Sequence, residues 1–535
     1  MATTEARSAP PTPGSRLPTP IKDLRDWLDR VEGIGELQRI DAPVDPDEEM
    51  SAITYLVAKQ TPSPAILFER PRGFESTDVR LLWNVLGPSF RRVALTVEEP
   101  PDTPILELIR RVKDKMQRRI PPDEVPASQA PVFEQTLTGD QIDLTRLPFP
   151  RHWPLDGGRY AGTADAVITR DPDSGYLNIG TYRMMVQGPR QCGLYLSPGK
   201  DARLHIARAW ERGQRIQVVA AWGIDPLFML IGSQTFPKNV SEYEFAGGVK
   251  GKAIPVVRGQ TTDLLLPANA EFVIEGEIGL DSVRSEGPFG EFTGYYGRPE
   301  AGCPLVDITA MHFRGRPILT NALMADYPSC EQSGFFSIAR SARIWSDLDR
   351  LGVPGIQGVY AHPASAGGFG MTVISLEQRY AGHAAQALAL AAQVPGGAYY
   401  TKWIVAVDHD IDPTDTDQVI WAMGSRCNPI EDIDVLRNTW STWLDPTQNP
   451  PEERPYGSKA LINACMEHRY LPVFSKRTTL RKEVYERAAA RWGELGLRGQ
   501  APTVRAFEEG TKSRVAYHEG GQFEPSGETG AAPSM

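Results

Sequence analysis

Two glutamates five residues apart, Glu286 and Glu291, bracket a Gly-Pro-Phe-Gly turn in the stretch Ser285-Glu286-Gly287-Pro288-Phe289-Gly290-Glu291-Phe292-Thr293-Gly294-Tyr295-Tyr296. Gly287, Pro288 and Gly290 favour tight turns, so the backbone can double back and aim both carboxyl groups at one point. A carboxyl lodged among Phe289, Phe292, Tyr295 and Tyr296 is partly desolvated, which raises its pKa and lets it carry a proton at neutral pH. Read blandly, the same residues are a polar hairpin end on a β-sheet.

A second constellation is Asn178-Ile-Gly-Thr-Tyr-Arg183. Side chains alternate faces along a strand, so this five-residue step puts Asn178 and Arg183 on opposite faces unless a bulge at Gly180 intervenes. The chemical reading is one amide ligand and one clamp for a carboxylate; the plain one is a barrel strand with two solvated polar residues. No phosphate-binding G-x-x-x-x-G-K-[ST] loop, H-E-x-x-H or G-x-S-x-G occurs. The acidic run Asp408 to Asp417 suggests a calcium loop, but Pro413 stands where the sharp turn needs glycine and Val419 where a bidentate glutamate is required. It reads as a strand end followed by a helix cap.

These residues sit in a chain of 535, long enough for about three or four domains. Hydrophobic residues make up 41% and charged residues 23%, an ordinary globular composition. The net charge of −10 argues against nucleic-acid binding. Five dispersed cysteines without a C-x-x-C pair fit a reduced, cytoplasmic compartment. The first residues lack the apolar core of a signal peptide, and no apolar run reaches the ~18 residues of a membrane helix.

Residues 1–18 and 511–535, rich in Pro, Ser, Thr, Gly and Glu, are expected to be disordered or loose. Residues 19–130 read as an α/β domain. Its first helix is expected to start with Thr19 as cap and Pro20, its second with Asp45 as cap and Pro46, and short strands follow at Ala65–Phe68 and Arg80–Trp83. From 131 to 316 short apolar runs between turn residues indicate a β-rich domain, with strands that include Asn178–Val186, Phe272–Glu277 and Val306–Phe313. From 317 to 510 helix and strand patterns alternate, as in an α/β domain with a mostly parallel sheet, and a helix over about Thr479–Leu495 follows.

Taken in order, Asn178-Ile-Gly-Thr-Tyr-Arg183, Ser197-Pro-Gly-Lys-Asp201, Ser241-Glu242-Tyr-Glu-Phe-Ala-Gly247, Glu286-Gly-Pro-Phe-Gly-Glu291 and Tyr400-Thr-Lys402 resemble the UbiD family of reversible decarboxylases that use prenylated FMN. The resemblance runs from about Ile21 to about Leu495. It implies an α/β multidomain fold: an N-terminal α/β domain, a central split β-barrel of flavin-reductase type, and a C-terminal α/β domain that oligomerises. It also implies Arg183, Glu286 and Glu291 as the catalytic trio, with Glu291 the proton donor and Glu286 orienting Arg183. The cofactor would lie against Thr163, Asn178, Ile179, Gly180, Arg183, Gly199, Lys200 and Lys402. A Mn²⁺ or Mg²⁺ ion tied to the flavin phosphate would take Asn178, Asp201 and Glu242, and a K⁺ ion Ser233, Glu242 and Arg426.

Asp201 stands where the family has a histidine. Aspartate is a hard oxygen ligand suited to these cations, though shorter and more negative; His205, one helical turn on, is the alternative ligand or else a surface residue. Met324, Trp440, Trp443 and Leu444 fall where the family builds its pocket wall, and the two tryptophans favour a flat aromatic acid unless they fill a core or subunit interface. The activity implied is nonoxidative, reversible decarboxylation of an aromatic or α,β-unsaturated acid, with CO₂ as product. A flavin prenyltransferase would supply the cofactor, and the protein would be a homodimer or higher homo-oligomer. The alternatives are an assembly subunit of a larger carboxylase and a plain flavin-binding redox protein.

Overall fold

The computed structural model describes residues 20–504 and Phe507, apart from Thr235, Lys238, Pro472 and Lys476. The expectations for residues 1–18, for Thr19 as a cap and for 511–535 lie outside the described residues. The chain forms a mixed α/β multidomain structure that divides into two compact units: one of residues 1–342, 363–368 and 442–454, the other of residues 343–362, 369–441 and 455–535.

In the first unit the helix Leu24–Gly33 buries Leu24, Trp27, Leu28 and Val31 at helical spacing. Its cap is Asp23, whose side chain accepts the Asp26 N–H, and not the Thr19-Pro20 pair. The second helix, Glu49–Val57, likewise starts later than expected: Asp45 accepts the Asp47 N–H in a local turn, and Glu48 takes the cap position in the left-handed region at φ 65°. The strands Ala65–Phe68 and Arg80–Trp83 fall where the apolar runs predict them, in a four-stranded sheet with Leu37–Ile40 and Ile318–Thr320.

The larger sheet of this unit has nine strands, all antiparallel, and curls into a half-barrel. Its spine is the long pair Phe272–Glu286 and Glu300–Phe313. Both strands outrun their expected ends, because register shifts at Glu275/Gly276, Ile278/Val283 and Arg284/Glu286 let pairing continue through a polar stretch whose alternation is broken. Trp222, Phe272, Phe149 and Trp83 are fully or nearly fully buried in the core beneath these two sheets. The expected single strand Asn178–Val186 is two strands, Leu177–Gly180 and Met184–Gly188. The face alternation argued across it therefore does not apply, and Arg183 emerges from the irregular link between them.

The second unit holds a five-stranded sheet with Met371–Leu376, Trp403–Asp408 and Gly457–Ala464 parallel to one another, and the antiparallel strands Ile356–Ala361 and Ile433–Thr439 on its edges. Val373, Val405, Val407, Ile411, Val419 and Ile462 form its core. The acidic run resolves as read: Asp408 ends a strand, and Asp415 caps the helix Thr416–Arg426 through the Asp417 and Gln418 N–H groups. The last helix is Lys482–Ala490, shorter than expected, with no buried residue. No helix among the described residues is long and apolar enough to cross a membrane.

Candidate active site

Glu286 is the last residue of the long strand Phe272–Glu286 and is fully buried. Gly287 follows in the left-handed region at φ +82°, a conformation open to glycine, and turns the chain. Phe289–Gly290 then pairs with Tyr296–Gly297, closing a short hairpin with Glu291 at its bend. The Glu291 N–H donates to the Tyr295 carbonyl at 2.9 Å, and its own carbonyl accepts the Gly294 N–H at 2.9 Å. The doubled-back backbone foreseen from the glycines and proline thus forms and carries both glutamates.

Arg183 joins them. Its Nε and Nη2 donate to the two oxygens of Glu286, each at 2.7 Å, in a bidentate fork, and its Nη1 donates to Glu291. All three side chains are buried. The Tyr195 ring lies 3.9 Å from the guanidinium carbon and Phe289 closes a second side at 5.2 Å. Burial works against the charged guanidinium, but Glu286 and Glu291 outweigh it and hold Arg183 above its ordinary value. Burial raises the Glu291 carboxyl to about 7, with Arg183 pulling it down and Glu286 pushing it up. One carboxylate thus neutralises the guanidinium, and the other is poised to hold or release a proton near neutral pH. The aromatic cage differs from expectation: Phe289 and Phe292 are buried, whereas Tyr295 and Tyr296 are exposed, and Tyr160 packs on Phe289 at 4.2 Å.

Asn178, Asp201 and Glu242 come from three elements of the same unit: the strand Leu177–Gly180 and the first residues of the helices Asp201–Glu211 and Glu242–Lys250. Glu242 Oε2 accepts the Ile179 N–H at 2.7 Å, and the Asn178 amide lies 3.5 Å from the Tyr182 hydroxyl. Burial, with a smaller contribution from nearby Asp201, raises the Glu242 carboxyl to about 8 against the backbone N–H groups it accepts. Thr181 Oγ1 is buried without a hydrogen-bond partner. Two carboxyl groups and an amide oxygen are donors that suit an oxygen-preferring divalent cation, although the described residues contain no cluster of three His, Cys, Asp or Glu. His205 is not a surface residue: it is buried, its Nδ1 lies 2.9 Å from Thr169 Oγ1, and Tyr176 packs edge-on against its ring.

The other sequence candidates are placed as follows. Thr163 Oγ1 accepts the Ala322 N–H at 2.9 Å. Gly180 packs under the Tyr182 ring, leaving no room for a side chain. Gly199, at φ +83°, makes the turn before Lys200, whose pKa burial lowers. Ser233 donates to the Leu230 carbonyl. Met324 packs against Tyr160, Met185 and Phe289. Leu444 and the Glu291 side chain flank Gly297, and Arg298 covers the Trp443 ring. Lys402, Arg426 and Trp440 belong to the second unit. There Arg426 pairs with Asp408 at 3.0 Å and Asp410 at 2.7 Å, Trp440 meets Tyr399 edge-on, and Lys402 Nζ lies 5.3 Å from the Tyr400 ring.

Sequence reasoning missed Asp156 and Tyr195. Asp156 Oδ1 accepts the Gly290 N–H at 3.1 Å, and its Oδ2 accepts the N–H groups of His152 and Trp153. The turn-rich run Trp153-Pro154-Leu155-Asp156-Gly157-Gly158 was the available signal.

Three family profiles match the chain: the 3-octaprenyl-4-hydroxybenzoate carboxy-lyase N-terminal domain over residues 28–112, the Rift-related domain over 123–327 and the C-terminal domain over 334–464. A phenolic acid decarboxylase of Escherichia coli O157:H7 is 33% identical over 442 residues, 80% of this chain and 89% of that protein. The vanillic acid decarboxylase of Sedimentibacter hydroxybenzoicus superposes with a TM-score of 0.78 at 28% identity, covering 89% of this chain and 98% of that one. The UbiD-class enzyme HmfF of Pelotomaculum thermopropionicum, solved with FMN, gives 0.75 at 29% identity, covering 85% and 97%; an evolved dimeric form of it, solved with prFMN, gives 0.74 at 28%, covering 86% and 97%. With its fold, its buried arginine–glutamate trio and all three domain profiles in one order, this chain belongs to the UbiD family of carboxy-lyases.

Proposed function

We propose that this protein decarboxylates an aromatic or α,β-unsaturated carboxylic acid, reversibly and without net oxidation, using prenylated FMN. The observation that carries the reading is the buried Arg183–Glu286–Glu291 trio, with one carboxyl held near 7. The bound flavin supplies an electron sink for the pair left when the carbon–carboxylate bond breaks. Glu291 delivers the proton that replaces CO₂ on that carbon and regains one from solvent, so carboxylate plus proton gives product plus CO₂. Arg183 holds Glu291 in place and Glu286 holds Arg183. Neither an assembly subunit nor a plain flavin carrier needs a buried proton donor. The residues 131–316 are taken as the flavin-reductase-type split barrel, with 19–130 and 317–510 as the α/β domains around it.

Thr163, Ile179, Gly180, Gly199, Lys200 and Lys402 are assigned to the flavin, and Asn178, Asp201 and Glu242 to a Mn²⁺ or Mg²⁺ ion at its phosphate. The K⁺ assignment is Ser233, Glu242 and Arg426. Met324, Trp440, Trp443 and Leu444 are assigned to the wall of a pocket for a flat acid. Co-expression with a flavin prenyltransferase, followed by an absorbance spectrum and CO₂ release from a panel of hydroxybenzoates and cinnamates, tests the function. Modified flavin with CO₂ release supports it; loaded protein inert toward every acid overturns it.

The metal assignment has its own test. Asp201→Ala removes one of two carboxylates and is expected to lose both metal and flavin, while Asp201→His keeps them with a changed metal preference. Metal analysis and the flavin spectrum measure this, and full occupancy in Asp201→Ala would exclude Asp201 as a ligand. The protein is further assigned to the cytoplasm as at least a homodimer held through the C-terminal domain. Light scattering should then exceed the 59.0 kDa of one chain; a monomer at micromolar concentration would refute it.

A further inference from the structure

The geometry points to Asp156 as the positioning residue that sets Glu291, by clamping the turn 152–157 to the hairpin that carries the proton donor. This rests on the function proposed above. Asp156 is 7% exposed, and its carboxylate accepts three backbone N–H groups from two segments. The donors on its own side are His152 at 3.1 Å and Trp153 at 2.9 Å; the donor across the gap is Gly290 at 3.1 Å, the residue just before Glu291. Two further contacts lock the same junction. The Gly157 N–H donates to the Pro288 carbonyl at 2.8 Å, and a Cβ on Gly157 would stand 2.1 Å from the Gly287 carbonyl oxygen, so the two backbones approach as closely as glycine permits. Gly290 in turn packs on the Trp153 indole, whose Nε1 donates to the Met324 carbonyl at 3.0 Å.

Charge accompanies the clamp. Asp156 adds to the burial and to Glu286 in raising the Glu291 carboxyl, against Arg183. Arg183 also acts on Asp156, whose own carboxyl burial raises to about 6 against its three backbone donors. Among the described residues the buried Cys330 thiol also feels Glu291, and the buried Tyr160 phenol feels Glu286 and Asp156; burial keeps both neutral. His152 is held neutral by burial, and on the side of its own turn Asp156 faces one cation, Arg151, whose guanidinium it helps to keep charged together with Asp47 and Glu48.

Asp156→Asn has the same shape but only one accepting oxygen. With that oxygen facing His152 and Trp153, the amide nitrogen faces the Gly290 N–H and the cross-gap bond is lost, together with the charge. Asp156→Glu keeps the charge and displaces it. The loaded protein is assayed for kcat and KM, and Glu291 is titrated by difference infrared spectroscopy through the protonated-carboxyl band that Glu291→Gln removes. In Asp156→Asn, kcat is expected to fall about tenfold to a hundredfold with KM little changed, and the Glu291 midpoint to move to lower pH. In Asp156→Glu the midpoint stays near the parental one while kcat falls. A parental midpoint and kcat in Asp156→Asn overturn the proposal. So does loss of rate with an unmoved midpoint, or failure of both variants to fold, since either makes Asp156 structural alone. The titration needs no substrate, so it judges Asp156 even if the protein releases CO₂ from no acid.

Discussion

Glu291→Gln is expected to keep its flavin and lose about two to four orders of magnitude in decarboxylation rate, the usual worth of a positioned general acid. The amide matches the carboxyl in shape and still accepts from Arg183 Nη1, so the network around Glu286 remains, but it carries no transferable proton. Its stability should shift in a definite direction. Glu291 has its carboxyl raised to about 7 from an ordinary 4.5. A carboxyl raised on folding favours the folded state when protonated, so its contribution is complete below about 4.5 and is lost as pH rises through about 7. Each tenfold in that proton equilibrium is about 1.4 kcal/mol. The melting temperature of Glu291→Gln relative to the parent should therefore increase from pH 5 to pH 8, while activity is low throughout. Parental turnover in Glu291→Gln would remove Glu291 from the chemistry; a difference constant with pH would mean that its carboxyl is not raised.

The same raised carboxyl explains what the sequence could and could not disclose. Glu286, Glu291 and Arg183 were legible because their types, their spacing and the turn residues between them follow from local chain geometry. The contribution of Asp156 was not, because the one N–H it accepts from across the gap belongs to Gly290, more than a hundred residues away, and a backbone donor leaves no mark on composition. Similarly, Ala65–Phe68 was found as a continuous apolar run, whereas Gly457–Ala464 was missed. It contains Lys459, which a sequence places in solvent; in the fold it is buried and donates to the carbonyls of Ala392, Gly397 and Ala398. Three converging carbonyls make a buried ammonium tolerable, and only tertiary structure supplies them. Arg183 was misassigned to a strand for a related reason. Register is set by pairing partners, and the break after Gly180 appears only when those partners are known.

Arg183→Ala should be the most damaging single change in the trio, in stability as well as rate. It removes one cation from between two buried carboxyl groups, and breaking a buried pair by deleting one partner costs about 3–5 kcal/mol because the other partner is left charged and dry. Glu286 is fully buried and loses a bidentate partner, so in the variant its carboxyl must either ionise without compensation or take up a proton. The second course is cheaper, and Glu291, already raised by burial, loses in addition the cation that pulls its carboxyl down. Carboxyls raised in this way stabilise the fold at low pH and cease to do so as pH rises, so the deficit in melting temperature relative to the parent should be smaller at pH 5 than at pH 8. Arg183→Lys restores the charge without the planar fork, and it should recover more of the stability than of the rate, since one ammonium cannot hold Glu286 and Glu291 in the geometry that two guanidinium edges impose. If Arg183→Ala melts with the parent at pH 8, the ion-pair network does not hold the site together, and the poise of Glu291 must come from burial alone.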